Sequence, residues 1–418
     1  MRLSTALSAW DHGKILRTAD ILAVLLAIAI PWSTSAAAIL SALYVIAILP
    51  LLNAESVTIG RKEPALWLPV ALVGLGVIGI LWADVSWSEY WIGLKPLFKL
   101  LALPLVMLHF RLSERTELVF YGFLGSCTVL LAVSTIPEFV PPLRGVWRID
   151  HGVPVKNRII QSGEFLICIF AALYLAYDRA KTGYRSAAAA LLILATIFAL
   201  NQIFIRTSRT TLATAPVLLL LFGYWLFRWK GVAAAILFGA LVAAAAWVSS
   251  PYFRSEATSV PSEIEYNQAT KKPTPSAERL EYWKKSLRFI ARAPVLGHGT
   301  GSIEGLFRES SEGKTGVAAY VTRNPHNQTF MIGIQFGAVG IIVLWAMWIV
   351  HVLSLRRNGF VAWFGLVVAV QVIVGSLFNS LLSDVTQSWY YIVLVGAAIG
   401  ETLKLRYPAT ATARAIGQ

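Results

Sequence analysis

Apolar runs of about twenty residues recur along nearly the whole chain, the length needed to cross roughly 30 Å of hydrocarbon. Soluble domains carry roughly 25% charged residues, whereas this chain has 14% charged and 57% hydrophobic residues. A soluble enzyme is excluded, and the sequence predicts an all-α polytopic membrane protein. Arg2, Lys14 and Arg17 precede the first run, and no small-residue cleavage site leads into a mature soluble domain. That run is therefore expected to be retained as a span. Cys127 and Cys168 are the only cysteines, and both lie inside apolar runs. This argues against a disulfide framework or a cysteine-rich zinc site.

The periodicity predicts about twelve spans, at 19–33, 36–52, 65–83, 89–109, 117–138, 159–178, 186–205, 210–228, 231–249, 327–352, 359–380 and 384–403. The net charge is +14, from 36 basic and 22 acidic residues. Its placement orients the chain, because short cytoplasmic loops are rich in Lys and Arg. With both termini inside, every inner segment carries at least two basic residues, as at Arg61 and Lys62, Arg111 and Arg115, or Arg356 and Arg357. The short outer turns near Ser35, Asp84 and Ser383 carry none. Two short outer loops break the rule. One holds Arg144, Arg148, Lys156 and Arg158, and the other holds Arg206 and Arg209. Arginines at a membrane surface have either an anionic ligand or phospholipid headgroups as partners.

The chain divides into spans 1–9 (residues 1–249), a long outer segment (250–326), and spans 10–12 with a short cytoplasmic tail (327–418). Within the outer segment, 255–275 is polar and proline-punctuated, and reads as mobile. From 276 to 293 the pattern becomes helical, with Leu280, Trp283, Leu287 and Ile290 at three- and four-residue spacing before Pro294. Gly297-His298-Gly299-Thr300-Gly301 follows. It reads as a flexible turn rather than a phosphate cradle.

The candidates for chemistry gather on the outer side. His326 stands in Asn324-Pro325-His326-Asn327, where Pro325 disfavours helix before it and a span begins after it. It is either a helix-capping or lipid-facing histidine, or a base with an ordinary pKa near 6.5 suited to taking a hydroxyl proton. Thr207 and Ser208 are good N-caps for the next span, and Arg209 adds a guanidinium beside the exposed N–H groups of a helix start. This is either a plain cap or an anion site. Arg279 precedes Trp283 by one helical turn, while Glu278 and Glu281 flank it and can pair with it or with Lys285. Asp384 opens the last span, as a cap, a partner for an arginine, or an orienting group for His326. Lys95 and Lys99, one turn apart in a span, face the interior or snorkel. The nearest approach to an Asp-x-Asp metal motif is Glu263-Ile264-Glu265, in the polar stretch, so metal-independent chemistry is expected, with no cofactor.

Ser208-Arg209-Thr210, Arg279-x-x-x-Trp283, Pro294 to Gly301, and His326-Asn327-x-x-Phe330 followed by Gly337-x-x-Gly340 together resemble the O-antigen ligase and polymerase superfamily. The resemblance covers mainly residues 200–345. It implies a glycan on undecaprenyl diphosphate as donor and lipid A–core oligosaccharide as acceptor, joined at the periplasmic face of a Gram-negative inner membrane, among membrane lipids and without nucleic acid. It places the diphosphate on Arg209 and Arg279 with Ser208 and Thr210, with Arg148 and Arg158 in supporting places. His326 becomes the general base and Asp384 the acidic residue near the last span. The superfamily's O-antigen polymerases and protein O-oligosaccharyltransferases share the donor, and a lipid-oligosaccharide transporter is the alternative from another class.

Overall fold

The computed structural model describes residues 2–140, 142–143 and 151–408. Eight helices among the described residues are long and apolar enough to cross a bilayer, and the shorter Phe360–Gly375 is equally apolar. In hydrocarbon every backbone N–H and C=O must be paired inside the protein, which is why apolar runs spaced in this way become helices. The described residues form helices joined by turns, an arrangement that fits a polytopic membrane protein.

Helix Arg158–Lys181 forms the centre of the bundle. In its most apolar window 83% of residues are buried, against 17% for Arg209–Ser249 at the periphery. The latter is two helices. Phe227 and Arg228 leave helical geometry (φ 55°, ψ −136° at Arg228), and the arms fold back until Gly223 and Gly231 touch through their backbones. Sequence periodicity had divided this stretch at the same place. The two histidines inside the bundle have local partners. His351 bonds Tyr391 Oη at 2.7 Å and the Ala65 carbonyl at 3.1 Å, and His109 bonds Tyr44 at 2.8 Å beside Asp20 at 3.2 Å. Both histidines have structural partners and stand apart from the candidate site.

The polar stretch expected to be mobile is instead a helix, Pro251–Thr270. Ser250 caps it by accepting from the Phe253 N–H, with Pro251 at its first position. Pro261 lies inside this helix without ending it. Helix Pro275–Arg292 follows, and a small core of Tyr282, Phe289, Ile303, Phe307, Met331 and Ile334 fastens it to helices Ile303–Ser311 and Gln328–Ser354.

The glycine-rich turn locks this assembly to the bundle. His298 and Gly299 donate to the carbonyls of Ile334 and Gln335, each at 2.9 Å, and Thr300 Oγ1 donates to Gly76 O at 2.7 Å. Gln328–Ser354 is broken at Gly337 (φ 58°, ψ −150°), where the Val295 carbonyl lies in the space a side chain would fill. Only glycine adopts that backbone readily. The turn's N–H groups are occupied by protein carbonyls, so it is a structural joint.

Candidate functional site

Helix beginnings meet at one end of the bundle. Asn157 caps Arg158–Lys181, Ser208 caps Arg209–Ser249, Asn327 caps Gln328–Ser354, and Asp384 caps Val385–Tyr390. Cross-links join them. Ser162 Oγ donates to Ser208 Oγ at 2.9 Å, and Asn327 Nδ2 donates to Leu377 O at 2.8 Å. Into this end descends Pro275–Arg292, and its successive turns touch the candidates in order.

Ser276, at its first turn, accepts from Arg209 Nη1 at 2.8 Å. Arg279 is next, half-buried, with no hydrogen bond or ion pair among the described residues. Burial, first, and then the neighbouring Arg209 and Arg158 charges work against its protonated form, while Glu263 and Glu278 act the other way and only in part offset them. One turn on, Tyr282 stacks over His326 with ring centres 6.4 Å apart, and Trp283 Nε1 donates to Pro325 O at 3.1 Å. From Ser276 to Trp283 is seven residues, about 10 Å of helical rise. Arg209, Arg279 and His326 therefore share one site along one helix face.

His326 is held in a left-handed backbone conformation (φ 54°), uncommon outside glycine and enriched for residues such as His. Asn324 Oδ1 makes it possible by accepting from the His326 N–H at 2.8 Å and from Ser380 Oγ at 2.8 Å. The ring's Nδ1 faces Asn379 Oδ1 at 3.0 Å, and that same oxygen accepts from the Ser380 N–H at 3.0 Å. Since the backbone N–H can only donate, the Asn379 oxygen is the acceptor and His326 Nδ1 carries the proton. Nε2 is left with its lone pair. Burial lowers the His326 pKa below its usual 6.5; the Asn379 bond raises it in part, and the Arg279 charge lowers it again. The ring is neutral at neutral pH, with a basic nitrogen available.

Asp384 does not orient His326. Its carboxylate accepts from the Gln387 N–H at 2.8 Å as a cap, and Asn379 holds the ring instead. Lys99 donates to the carbonyls of Ser383 (3.2 Å) and Asp384 (3.1 Å), so it faces the interior, whereas Lys95 is exposed. Ser208 and Thr210 do not face the site as diphosphate-binding groups. Both are buried, and the Ser208 hydroxyl is occupied by the Thr211 N–H and by Ser162. Ser208 caps the helix that begins at Arg209, and neither residue offers much surface of its own. Arg158 reaches Glu256 at 3.1 Å. Arg148 lies outside the described residues.

Sequence reasoning missed Asn379, and it missed the two carboxylates that meet Arg209. Arg209 lies against Glu263 through both η nitrogens, and Glu256 Oε1 is 3.6 Å from its Nε. Glu263 resists protonation: burial pushes its pKa up, but bonds from Arg209 and Ser276 outweigh that and leave it below the usual value. The available signal was the seven-residue spacing of Glu256 and Glu263, two helical turns on one face. Among the described residues, no three His, Cys, Asp or Glu side chains converge as metal ligands.

Residues 191–345 match the family model described as O-antigen ligase. Over that stretch the chain is similar to O-antigen ligases. The matched stretch contains Arg209, Arg279 and His326, while Arg158, Asn379 and Asp384 come from segments on either side of it. No curated protein matches the chain significantly. The matched family implies ligase- or polymerase-type glycosyl transfer in a membrane.

Proposed function

We propose that the chain is an O-antigen ligase, transferring a glycan from undecaprenyl diphosphate to lipid A–core oligosaccharide at the periplasmic face of a Gram-negative inner membrane. In this reading the protein spans the membrane twelve times with both termini in the cytoplasm. The Lys and Arg distribution supports that orientation. Residues 250–326 then form the periplasmic segment between spans 9 and 10, and the helix beginnings that carry the site face outward.

The supporting observation is a neutral, pre-oriented His326 beside Arg279, which makes no hydrogen bond or ion pair among the described residues and stands one helical turn before Tyr282, the residue stacked on His326. The acceptor hydroxyl oxygen attacks the anomeric carbon of the donor sugar, and its proton passes to His326 Nε2. The bond from the anomeric carbon to the diphosphate oxygen breaks, and the bonding pair leaves with the diphosphate. Arg279 and Arg209 stabilise the negative charge that grows there. Preorganised guanidinium groups do this without reorganising as the charge develops. One displacement inverts the anomeric centre.

The test incubates purified protein in detergent or nanodiscs with undecaprenyl-diphosphate glycan and rough lipopolysaccharide. Glycosylated lipopolysaccharide with inverted linkage supports the reading. A lengthened lipid-linked glycan would replace it with polymerase activity, and donor crossing a vesicle membrane without transfer would replace it with transport.

A further inference from the structure

Helix Pro251–Thr270 is fastened to the bundle in an unusual way. Glu256 is its one buried residue, and the helix contributes no side chain to either apolar core. Its start is anchored: Ser250 Oγ donates to Ile203 O at 2.7 Å, and Tyr252 Oη bonds both the N–H and the carbonyl of Thr207, at 2.9 and 3.1 Å. Beyond that point it is held by charge. Glu256 Oε2 takes Arg158 at 3.1 Å, Glu263 takes Arg209, and the Glu263 backbone carbonyl accepts from Thr274 Oγ1 at 3.0 Å. Lys271, at its far end, sits in a left-handed conformation (φ 57°) that allows a sharp change of direction.

The charge contacts are incomplete. Arg209 Nε and Glu256 Oε1 stand 3.6 Å apart, each buried and each without a hydrogen bond, and Arg206 Nε is buried in the same condition. Buried charged groups left half-paired need an explanation, because such groups are normally satisfied. Two anionic groups nonetheless converge on one guanidinium, one from its ε side and one from its η side, as two linked phosphates would.

We propose that Glu256 and Glu263 are stand-ins for the donor diphosphate: they occupy Arg158 and Arg209 while the site is empty and are displaced when a diphosphate binds, so that Pro251–Thr270 acts as a strap that swings about its anchored start. This rests on the reading of the arginines as a diphosphate site. The displaced carboxylates move into solvent, and little apolar burial opposes the movement because the helix has little to lose. The strap then makes the ligand-free site quiet toward other anions and ties its opening to donor arrival.

The test measures binding of a polyprenyl diphosphate lipid to the full-length protein in nanodiscs, for the wild type, Glu263→Gln and Glu256→Gln, with melting temperatures as a folding check. Removing a competing carboxylate from a charge-assisted pair should tighten binding on the order of tenfold, and either variant suffices if the other fails to fold. Hydrogen exchange in 251–270 should speed up when the lipid is added to the wild type. Unchanged or weaker binding by a folded variant, or slower exchange in 251–270, would overturn the stand-in role and make these carboxylates simple supports for the arginines. If the wild type and both variants bind no diphosphate lipid, the diphosphate reading of the site falls, and this inference with it.

Discussion

Replacing Asn379 probes the site through a residue that need not touch substrate. Its Oδ1 fixes the His326 tautomer across 3.0 Å. In Asn379→Ala the Nδ1–H loses its acceptor in a half-buried place, where an unsatisfied donor costs about 1–3 kcal/mol. The ring is then free to turn or to exchange tautomers, which presents Nε2–H, the wrong form, to the acceptor hydroxyl. At about 1.4 kcal/mol per tenfold in rate, kcat should fall roughly 5- to 150-fold with donor KM nearly unchanged. The pH profile separates this from general damage. The Asn379 bond raises the His326 pKa against burial and Arg279. Without it the pKa drops further, and the base stays deprotonated to lower pH. The acid limb of kcat, already below the usual histidine range in the wild type, should therefore move down in Asn379→Ala. In Asn379→Asp an added negative charge should move it up. Transfer is followed with radiolabelled lipid-linked glycan and rough lipopolysaccharide from pH 4.5 to 8. A wild-type kcat in Asn379→Ala, or an acid limb that moves upward, would refute the assignment of His326 Nε2 as base.

Arg279→Ala should raise donor KM and lower kcat together, by about 10- to 100-fold in kcat/KM, given roughly 1.5–3 kcal/mol for a charge-assisted bond. Arg279→Lys should recover part of this, since it keeps the charge but not the fork; equal losses in both would point to packing instead. Gly337→Ala should lower stability by about 1–3 kcal/mol, from a backbone that only glycine adopts readily, and more from contact with the Val295 carbonyl. Thermal unfolding in detergent reads this out, and an unchanged melting temperature would contradict the joint between the glycine-rich turn and the broken helix.

Much of the architecture is legible in the sequence because hydrocarbon leaves the backbone few choices. The hairpin break near Phe227 and the helix ending at Arg292 both sit where periodicity and Pro294 put them. The buried face of Pro275–Arg292 was not legible. The apolar stripe singled out Leu280 and Leu287, yet these are exposed, and Tyr282, Lys285, Ser286 and Phe289 are buried. Lys285 is tolerated there because Ser311 Oγ and Ala318 O each accept from it at 2.7 Å, partners that local periodicity cannot reveal. The same limit hid Asn379, 53 residues from His326, and made the stretch from 255 look unstructured, since the ion pairs that hold it come from distant helices. Arg209, Arg279 and His326 could be singled out because charge and proline context mark them locally. Their grouping required the fold.

The most direct measurement is single-turnover transfer by purified His326→Ala, loaded with undecaprenyl-diphosphate glycan and mixed with rough lipopolysaccharide. Donor should bind as in the wild type, the melting temperature should hold, and the transfer rate should fall about 10²- to 10⁴-fold, the usual contribution of a positioned general base. Near-normal transfer by this variant would show that the proton leaves by another route and that the site has been misassigned.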